Sequence, residues 1–449
     1  MTELESVYLT PIEGGRIDGG VSALLQIGNS RILLDCGCSI DSDSSVYETF
    51  INQNDNLDAI LISHADIVHM GALPILLGKK GFSNIPVICT LPVHKMGHMM
   101  LYDICLNKNM EGVESDLHPF DLDDIDLCFS RVISVKYRQT ISIETCSDIS
   151  FTAYPSGRTL GGSIWHIRYK AIEILYIMDI DLRKEIVLDG GTLEIPLNPS
   201  ILIVDGVSAN TVGKRTKLAG KKKRLKEDSL IPSIMEVVRN DGNVLIPCES
   251  VTRSLELIQL IGKHWQDNKI ALYDFVFLSP MAHNIIEYSR SLLEWMNTSL
   301  AAPFYAGKNN PFELPSLQLA ASVADLDALP SNHPKVVLAT DMTLAYGASK
   351  QLLLRWGGDP KNTVIFTDVS PPGSLAASIR EQQPPVIATV NKAERLELVG
   401  MELAVYMRAQ DQRRRDAEVE EQRVLREGEL SRVGRACRNV MLYNVSILD

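Results

Sequence analysis

The sequence predicts an α/β protein built as at least two layered domains. Three observations lead there. The chain has 449 residues, more than one hydrophobic core usually serves, so two or three domains are expected. Short apolar stretches of strand length alternate with helix-like ones along most of it, the pattern of sheets covered by helices. Apolar residues make up 45% and charged residues 22%, the ordinary balance of a globular protein.

Val21 to Ile27 and Arg31 to Asp35 read as a hairpin turned by Gly28-Asn29-Ser30. Leu57 to Ile62 reads as a buried strand, Gly71 to Gly78 as a helix-like segment and Pro86 to Thr90 as the next strand. Further strands are expected at Ile149 to Ala153, Ser163 to Arg168, Ile172 to Ile177 and Ile201 to Val204. A second region then alternates strictly. Helices are expected over Asp228 to Arg239, Thr252 to Trp265, Met281 to Trp295 and Ala348 to Trp356. Strands are expected at Asn243 to Pro247, Ala271 to Leu278, Lys335 to Thr340 and Asn362 to Thr367. That alternation is the signature of a parallel sheet.

Bulk features narrow the function classes. Net charge is −12, which argues against a generic polyanion binder. No window approaches 18 uninterrupted apolar residues, so no membrane span is expected. The start, Met1 to Glu5, is acidic and lacks an apolar core, so it does not read as a secretory signal. Eight cysteines are sparse and irregularly spaced, with Cys36 and Cys38 two apart at a strand end. Buried free thiols in the cytosol or the nucleus are expected. Basic charge is concentrated between Lys214 and Lys226, which includes Lys214, Arg215, Lys217, Lys221, Lys222, Lys223 and Arg224. A solvated loop, a nuclear import signal and an RNA-phosphate patch all fit that run. From Met401 to Glu429 the chain is dense in Glu, Arg and Gln, as a solvated helix or a disordered segment would be.

The stretch Leu61-Ile-Ser-His64-Ala-Asp66-Ile-Val68-His69-Met-Gly71-Ala-Leu-Pro74 carries the chemistry. An apolar strand runs into two histidines and a carboxylate, then a small-residue helix start. Metal hydrolases use this arrangement because ligands at a strand end project from a rigid base into a common cleft. His94 and His98 lie four apart on a possible helix, but no third ligand accompanies them, and a surface pair is the simpler reading. Ala345 to Lys350 lacks the spacing of a phosphate-binding loop.

The stretch resembles the His-x-His-x-Asp-His motif, followed by Gly-Ala-Leu-Pro, of the β-CASP branch of the metallo-β-lactamase fold. Aligned on Gly71 to Pro74, His64 falls on the first histidine, Asp66 on the second, Val68 on the aspartate and His69 on the last histidine. Asp35 in Leu33-Leu-Asp35-Cys-Gly37 resembles the early strand-end aspartate. Arg158 in Ala153-Tyr-Pro-Ser-Gly157-Arg158 stands where active relatives place a ligand histidine. Asp179 resembles the carboxylate that bridges two metals in active relatives, and Asp205 the acidic residue that opens the β-CASP region. The fold this implies is a metallo-β-lactamase αββα sandwich with an inserted β-CASP α/β domain. The bounds implied are 1–208 for the first domain, 209–227 for a basic loop, 228–395 for the β-CASP domain and 396–449 for a charged tail.

The resemblance also implies a degenerate metal site. Asp35, His64, His69 and Asp179 keep their ligand types and Asp66 exchanges imidazole for carboxylate. Val68 has no donor atom, and a guanidinium has no lone pair to give. Arg158 is expected to pair with Asp179 or Asp66 in place of the metal's charge. No catalytic residue, metal or other cofactor is then implied. Within the family, Ser63 to Pro74, Gly162-Ser-Ile-Trp165 and Asn309-Asn-Pro-Phe312 look most like the non-catalytic members that accompany the endonuclease of pre-mRNA 3′-end processing. Those members usually keep a histidine at the position of Arg158. The partners implied are that catalytic endonuclease subunit, other cleavage and polyadenylation factor subunits and pre-mRNA, in the nucleus and with no membrane. A divergent single-zinc hydrolase is the alternative. The family's later motifs of the first domain are not visible after Val390, and residues 431–449 match nothing known, so a truncated form is expected.

Overall fold

Strands that are apolar at consecutive positions must be covered on both faces, and two of the three sheets are built that way. The computed structural model describes residues 7–13, 19–38, 57–79, 85–110, 120–193, 199–206, 219–330, 333–382 and 388–390, and part of 400–415. Residues 1–391 form one unit and 392–449 another. In the first unit, one sheet runs in spatial order β1 (Val7–Glu13), β2 (Ser22–Ile27), β3 (Ser30–Leu34), β4 (Ala59–Leu61), β5 (Val87–Thr90) and β6 (Val132–Val135). The predicted hairpin is β2 and β3, with Ile27 opposite Ser30. Its turn needs a left-handed first residue, and Gly28 supplies φ 57.

The second sheet comprises β7 (Thr140–Ile143), β8 (Cys146–Pro155), β9 (Ser163–Tyr169), β10 (Ile172–Ile177) and β11 (Ile201–Val204), with β11 at an edge beside β10. The two sheets face one another. Leu25, Ile32, Leu34 and Leu61 of the first interlock with Phe151, Trp165, Ile167 and Tyr176 of the second. Alternate residues of the same strands, Leu24, Leu33, Ile60 and Val87, point the other way. They meet a helical layer formed by α1 (Ile67–Met70), α2 (Leu91–Met110) and α3 (Leu122–Phe129).

The third sheet is wholly parallel, in the order β14 (Leu317–Ala320), β13 (Asp274–Leu278), β15 (Lys335–Ala339), β12 (Val244–Pro247) and β16 (Thr363–Val364). Its connections include α4 (Ala219–Arg239), α5 (Arg253–Asp267), α6 (Ala282–Ser291), α7 (Thr298–Tyr305), α8 (Val323–Asp327), α9 (Gly347–Trp356) and α10 (Leu375–Glu381). The core on one face of this sheet, with Ile246, Phe275 and Phe277, is continuous with the helical layer of the first domain.

Polar contacts lock the two domains together. The buried Glu256 carboxylate on α5 accepts the backbone N–H groups of Ile186, Val187 and Leu188 at 3.1, 2.8 and 3.3 Å. Asn297 donates its side-chain amide to the Glu185 carbonyl at 2.8 Å. This fixes the segment after β10, and that segment fixes the turn after β8, where the Asp181 N–H bonds the Ser156 carbonyl.

Three expectations are adjusted. Helix α4 begins at Ala219, inside the stretch read as a basic loop. Lys214, Arg215 and Lys217 lie outside the described residues, and the side chains of Lys221, Lys222, Lys223 and Arg224, in the first turns of α4, lie outside them too. The strand expected over Asn362 to Thr367 shrinks to β16, because the chain leaves the sheet edge and carries Asp368 toward the cleft. The tail is helical and exposed where it is described, at Leu403 to Arg408, and residues 431–449 lie outside the described residues. Among the described residues, no helix is long and apolar enough to cross a membrane.

Candidate metal centre

The site forms where β3, β4, β8 and β10 end together on one side of the first domain. Asp35 follows β3 directly and Asp179 follows β10 after Met178, and both sit in left-handed backbone, at φ 55 and φ 42. Such backbone tolerates Asp better than most side chains and concentrates at functional sites. Close approach shapes the floor. A Cβ added to Gly37 would lie 1.5 Å from the Val68 carbonyl oxygen, so the loop after β3 can pass beneath α1 only as glycine.

Asp35 is fully buried and accepts three hydrogen bonds: Ser63 N–H at 2.6 Å, Ser63 Oγ–H at 2.7 Å and Tyr176 O–H at 2.7 Å. Burial pushes its carboxyl up to about 6, although His69 and these donors pull the other way. The Ser63 hydroxyl gives its one hydrogen to Asp35, so toward His64 Nδ1, 2.8 Å away, it can only accept. His64 therefore carries its proton on Nδ1, and Nε2 accepts from Ser156 Oγ at 2.8 Å. Burial, and then the charge of His69, lowers His64 to about 3 and keeps it neutral.

The pocket around this serine is tight. A Cβ on Gly162 would fall 2.6 Å from Ser156 Oγ and 2.8 Å from His64 Cδ2. Gly162→Ala is expected to cost about 1–3 kcal/mol, read as a lower urea midpoint with an unchanged slope.

Asp66 caps α1. Its Oδ1 accepts the His69 backbone N–H at 2.9 Å and lies 2.7 Å from His69 Nδ1. Burial opposes charge on both members, but each holds the other ionised, so Asp66 is lowered and His69 raised. Burial pushes Asp179 upward, His69 opposes it, and Asp66 adds to the rise. Ligand atoms of Asp66, His69 and Asp179 lie within 4.8 Å of one another, the one grouping of this kind among the described residues. Asp66, the altered motif position, is thus a full member of a three-donor cluster. Val68 is not: its side chain is 37% exposed and its carbonyl accepts from Val21 N–H at 2.7 Å. Asp205 follows β11, and its backbone N–H bonds Ile177 carbonyl at 3.3 Å.

Arg158 does not pair as expected. Its Nη2 lies 3.6 Å from Asp368 Oδ2, across the cleft on the second domain. Asp66 is committed to His69 and burial drives Asp179 toward its neutral form, so solvent-side Asp368 is the carboxylate left to meet the guanidinium. Burial disfavours the Arg158 charge, but Asp368, then Asp179, Glu249 and Asp66, hold it protonated. His94 and His98 are a surface pair. His94 Nδ1 lies 2.9 Å from Ser134 Oγ, and His98 Nε2 lies 3.0 Å from Asp126 and stacks on Phe129.

Sequence reasoning missed Ser63, Ser156, Tyr176, Glu249 and Asp368. Ser63 and Ser156 stand beside His64 and Arg158 in the motif stretches, whereas Tyr176, Glu249 and Asp368 reach the site through tertiary contact.

Residues 24–203 match the metallo-beta-lactamase superfamily domain and residues 254–379 the Beta-Casp domain. The chain is 35% identical over 412 residues to the probable cleavage and polyadenylation specificity factor subunit 2 of Drosophila melanogaster, covering 91% of this chain and 53% of that protein. It is 33% identical to cleavage and polyadenylation specificity factor subunit 2 of Arabidopsis thaliana, covering 92% and 54%. To the endoribonuclease YSH1 of Yarrowia lipolytica it is 26% identical, covering 82% and 43%. The chain spans about half the length of the curated relatives it matches. With these two domains in this order, and about a third of its residues shared across nine-tenths of its length, the chain is a metallo-beta-lactamase and Beta-Casp protein homologous to cleavage and polyadenylation specificity factor subunit 2.

Proposed function

We propose that the chain acts as a non-catalytic scaffold subunit of a nuclear pre-mRNA 3′-end cleavage and polyadenylation complex, beside an active metallo-β-lactamase endonuclease. The observation that carries this is the state of the donors. A dinuclear hydrolytic centre needs enough lone pairs for two ions and an open water position. Asp66, His69 and Asp179 supply one three-donor set once an ion displaces the proton that Asp66 holds on His69. A second set is not at hand. The His64 Nε2 lone pair is taken by Ser156, Asp35 is held by three donors, Val68 offers nothing and Arg158 adds a fixed positive charge. The residues fit one ion and do not fit two.

We take 1–208 and 228–395 as the two domains, with 209–227 between them, and the family matches fall inside those bounds. The higher identity to subunit 2 proteins than to the endoribonuclease supports the same reading. Lys214, Arg215, Lys217, Lys221, Lys222, Lys223 and Arg224 are candidates for contact with RNA phosphates, in whole or in part. The three-donor set keeps one rival in play, a hydrolase with a single zinc ion.

Co-expression with the catalytic endonuclease subunit tests the scaffold role. A stable one-to-one complex is expected, with RNA cleavage lost when the partner's site is mutated and kept when His69→Ala is placed in this chain. Cleavage by this chain alone, abolished by chelator or by His69→Ala, would favour the single-zinc hydrolase. No complex at micromolar concentrations would contradict the scaffold.

A further inference from the structure

The C-terminal ends of parallel strands are where open α/β sheets bind ligands, and in this protein that edge of the third sheet is filled by the first domain. Ser279 follows β13 and Thr340 follows β15, its neighbour. Asp103, buried on α2, lies against both: Ser279 Oγ at 2.5 Å and Thr340 Oγ1 at 3.2 Å, each bonded to Asp103 Oδ1. The direction of each bond is fixed. Met281 N–H donates to Ser279 Oγ at 3.1 Å, and Asn107 Nδ2, one turn along α2, donates to Thr340 Oγ1 at 3.1 Å. Both hydroxyls therefore spend their hydrogens on one carboxyl oxygen, which leaves Oδ2 to carry a proton or a charge.

We propose that closure of the two domains is coupled to proton uptake by Asp103, which acts as a pH-sensitive latch at their seam. The groups facing it set the sign. Asp341, after β15, is a second carboxyl, half-buried in the same crevice. Cys248 and Glu249 follow β12 and, with Asp66 at the start of α1, line the same crevice as Asp103 and Asp341. Asn107 and Lys108 come from its own helix; Asn107 favours the charged form of Asp103, and Lys108 that of Asp341. Tyr346 closes the far wall.

Burial first, and then the charge of Asp341, raises the Asp103 carboxyl to about 7, against the pull of the two hydroxyls. A folded-state value above the ordinary one means the closed form binds the proton more tightly than the open form. The stabilisation is complete below about pH 4 and is lost as pH rises through about 7. The seam is tight in mild acid and looser in mild alkali.

Hydrogen-exchange mass spectrometry on the full chain between pH 5.5 and 8.5, corrected for the intrinsic pH dependence of exchange, tests this. Amides of residues 99–106, 277–281 and 338–343 are expected to exchange at least tenfold faster at pH 8.5 than at pH 5.5. Asp103→Asn keeps an acceptor for both hydroxyls and cannot ionise, so its exchange is expected to be flat with pH. Asp341→Asn removes the like charge, so the wild-type transition should move to lower pH. Exchange independent of pH in the wild type would overturn the latch. So would a transition that persists in Asp103→Asn and stays in place in Asp341→Asn.

Discussion

Asp35→Ala is expected to be the most destabilising single substitution in the site, at about 3–5 kcal/mol. It leaves three buried donors without an acceptor: Ser63 N–H, Ser63 Oγ–H and Tyr176 O–H. Stranding buried donors costs about 1–3 kcal/mol for each group that cannot re-pair, and removing one side of a buried charged network falls in the same range. Alanine must also adopt φ 55 at this position, which costs it about 1 kcal/mol more than Asp or Asn. Asp35→Asn should be much milder. Its oxygen can serve the Ser63 N–H, and the two hydroxyls can turn to accept from its NH₂. Urea unfolding of the three proteins checks the ordering. An alanine variant within about 1 kcal/mol of wild type would show that the network contributes little.

The second large effect concerns the cation at the mouth of the site. Arg158→Met is expected to raise zinc affinity on the order of 100-fold. The Arg158 charge acts on both Asp179 and Asp66 and so repels a divalent ion held there; with the guanidinium partly in solvent the cost is about 2–3 kcal/mol. Arg158→His should go further, because it removes the fixed charge and adds an imidazole donor. Asp66 is best left unchanged, since it caps α1 and holds His69. Calorimetric titration with zinc measures both variants. Equal affinities for wild type and Arg158→Met would mean that Asp368 already neutralises the guanidinium, and that its charge does not exclude metal.

Much of the fold was legible because its signals are local. The hairpin from Ser22 to Leu34, the buried strands around Ile60 and Ile88, and the strand–helix alternation of the third sheet follow from runs of apolar residues separated by turns. Strand β14 was missed: Leu317 to Ala320 holds no β-branched residue and gains its place by pairing with β13. Helix α2 was glimpsed only through His94 and His98, although Pro92 in its first turn is a fitting helix start. In the site, strand-end placement made Asp35, His64, His69 and Asp179 readable. The Tyr176 bond to Asp35 spans 141 residues of sequence, and local pattern has no means of announcing it. The Arg158–Asp368 pairing depends in the same way on how two domains meet. The role of Asp66 was half legible. Its residue type marks an altered motif position, but its service as helix cap, partner of His69 and cluster member follows only from how the chain folds around it.

Metal content of the purified full chain, measured by plasma mass spectrometry after dialysis against micromolar zinc, is the most direct test of a site built for one ion. No more than one zinc per chain is expected, weakly held and removed by mild chelation without loss of fold. Two tightly bound ions per chain would mean that His64 gives up Ser156 and Arg158 swings clear, and that a dinuclear hydrolytic centre forms after all.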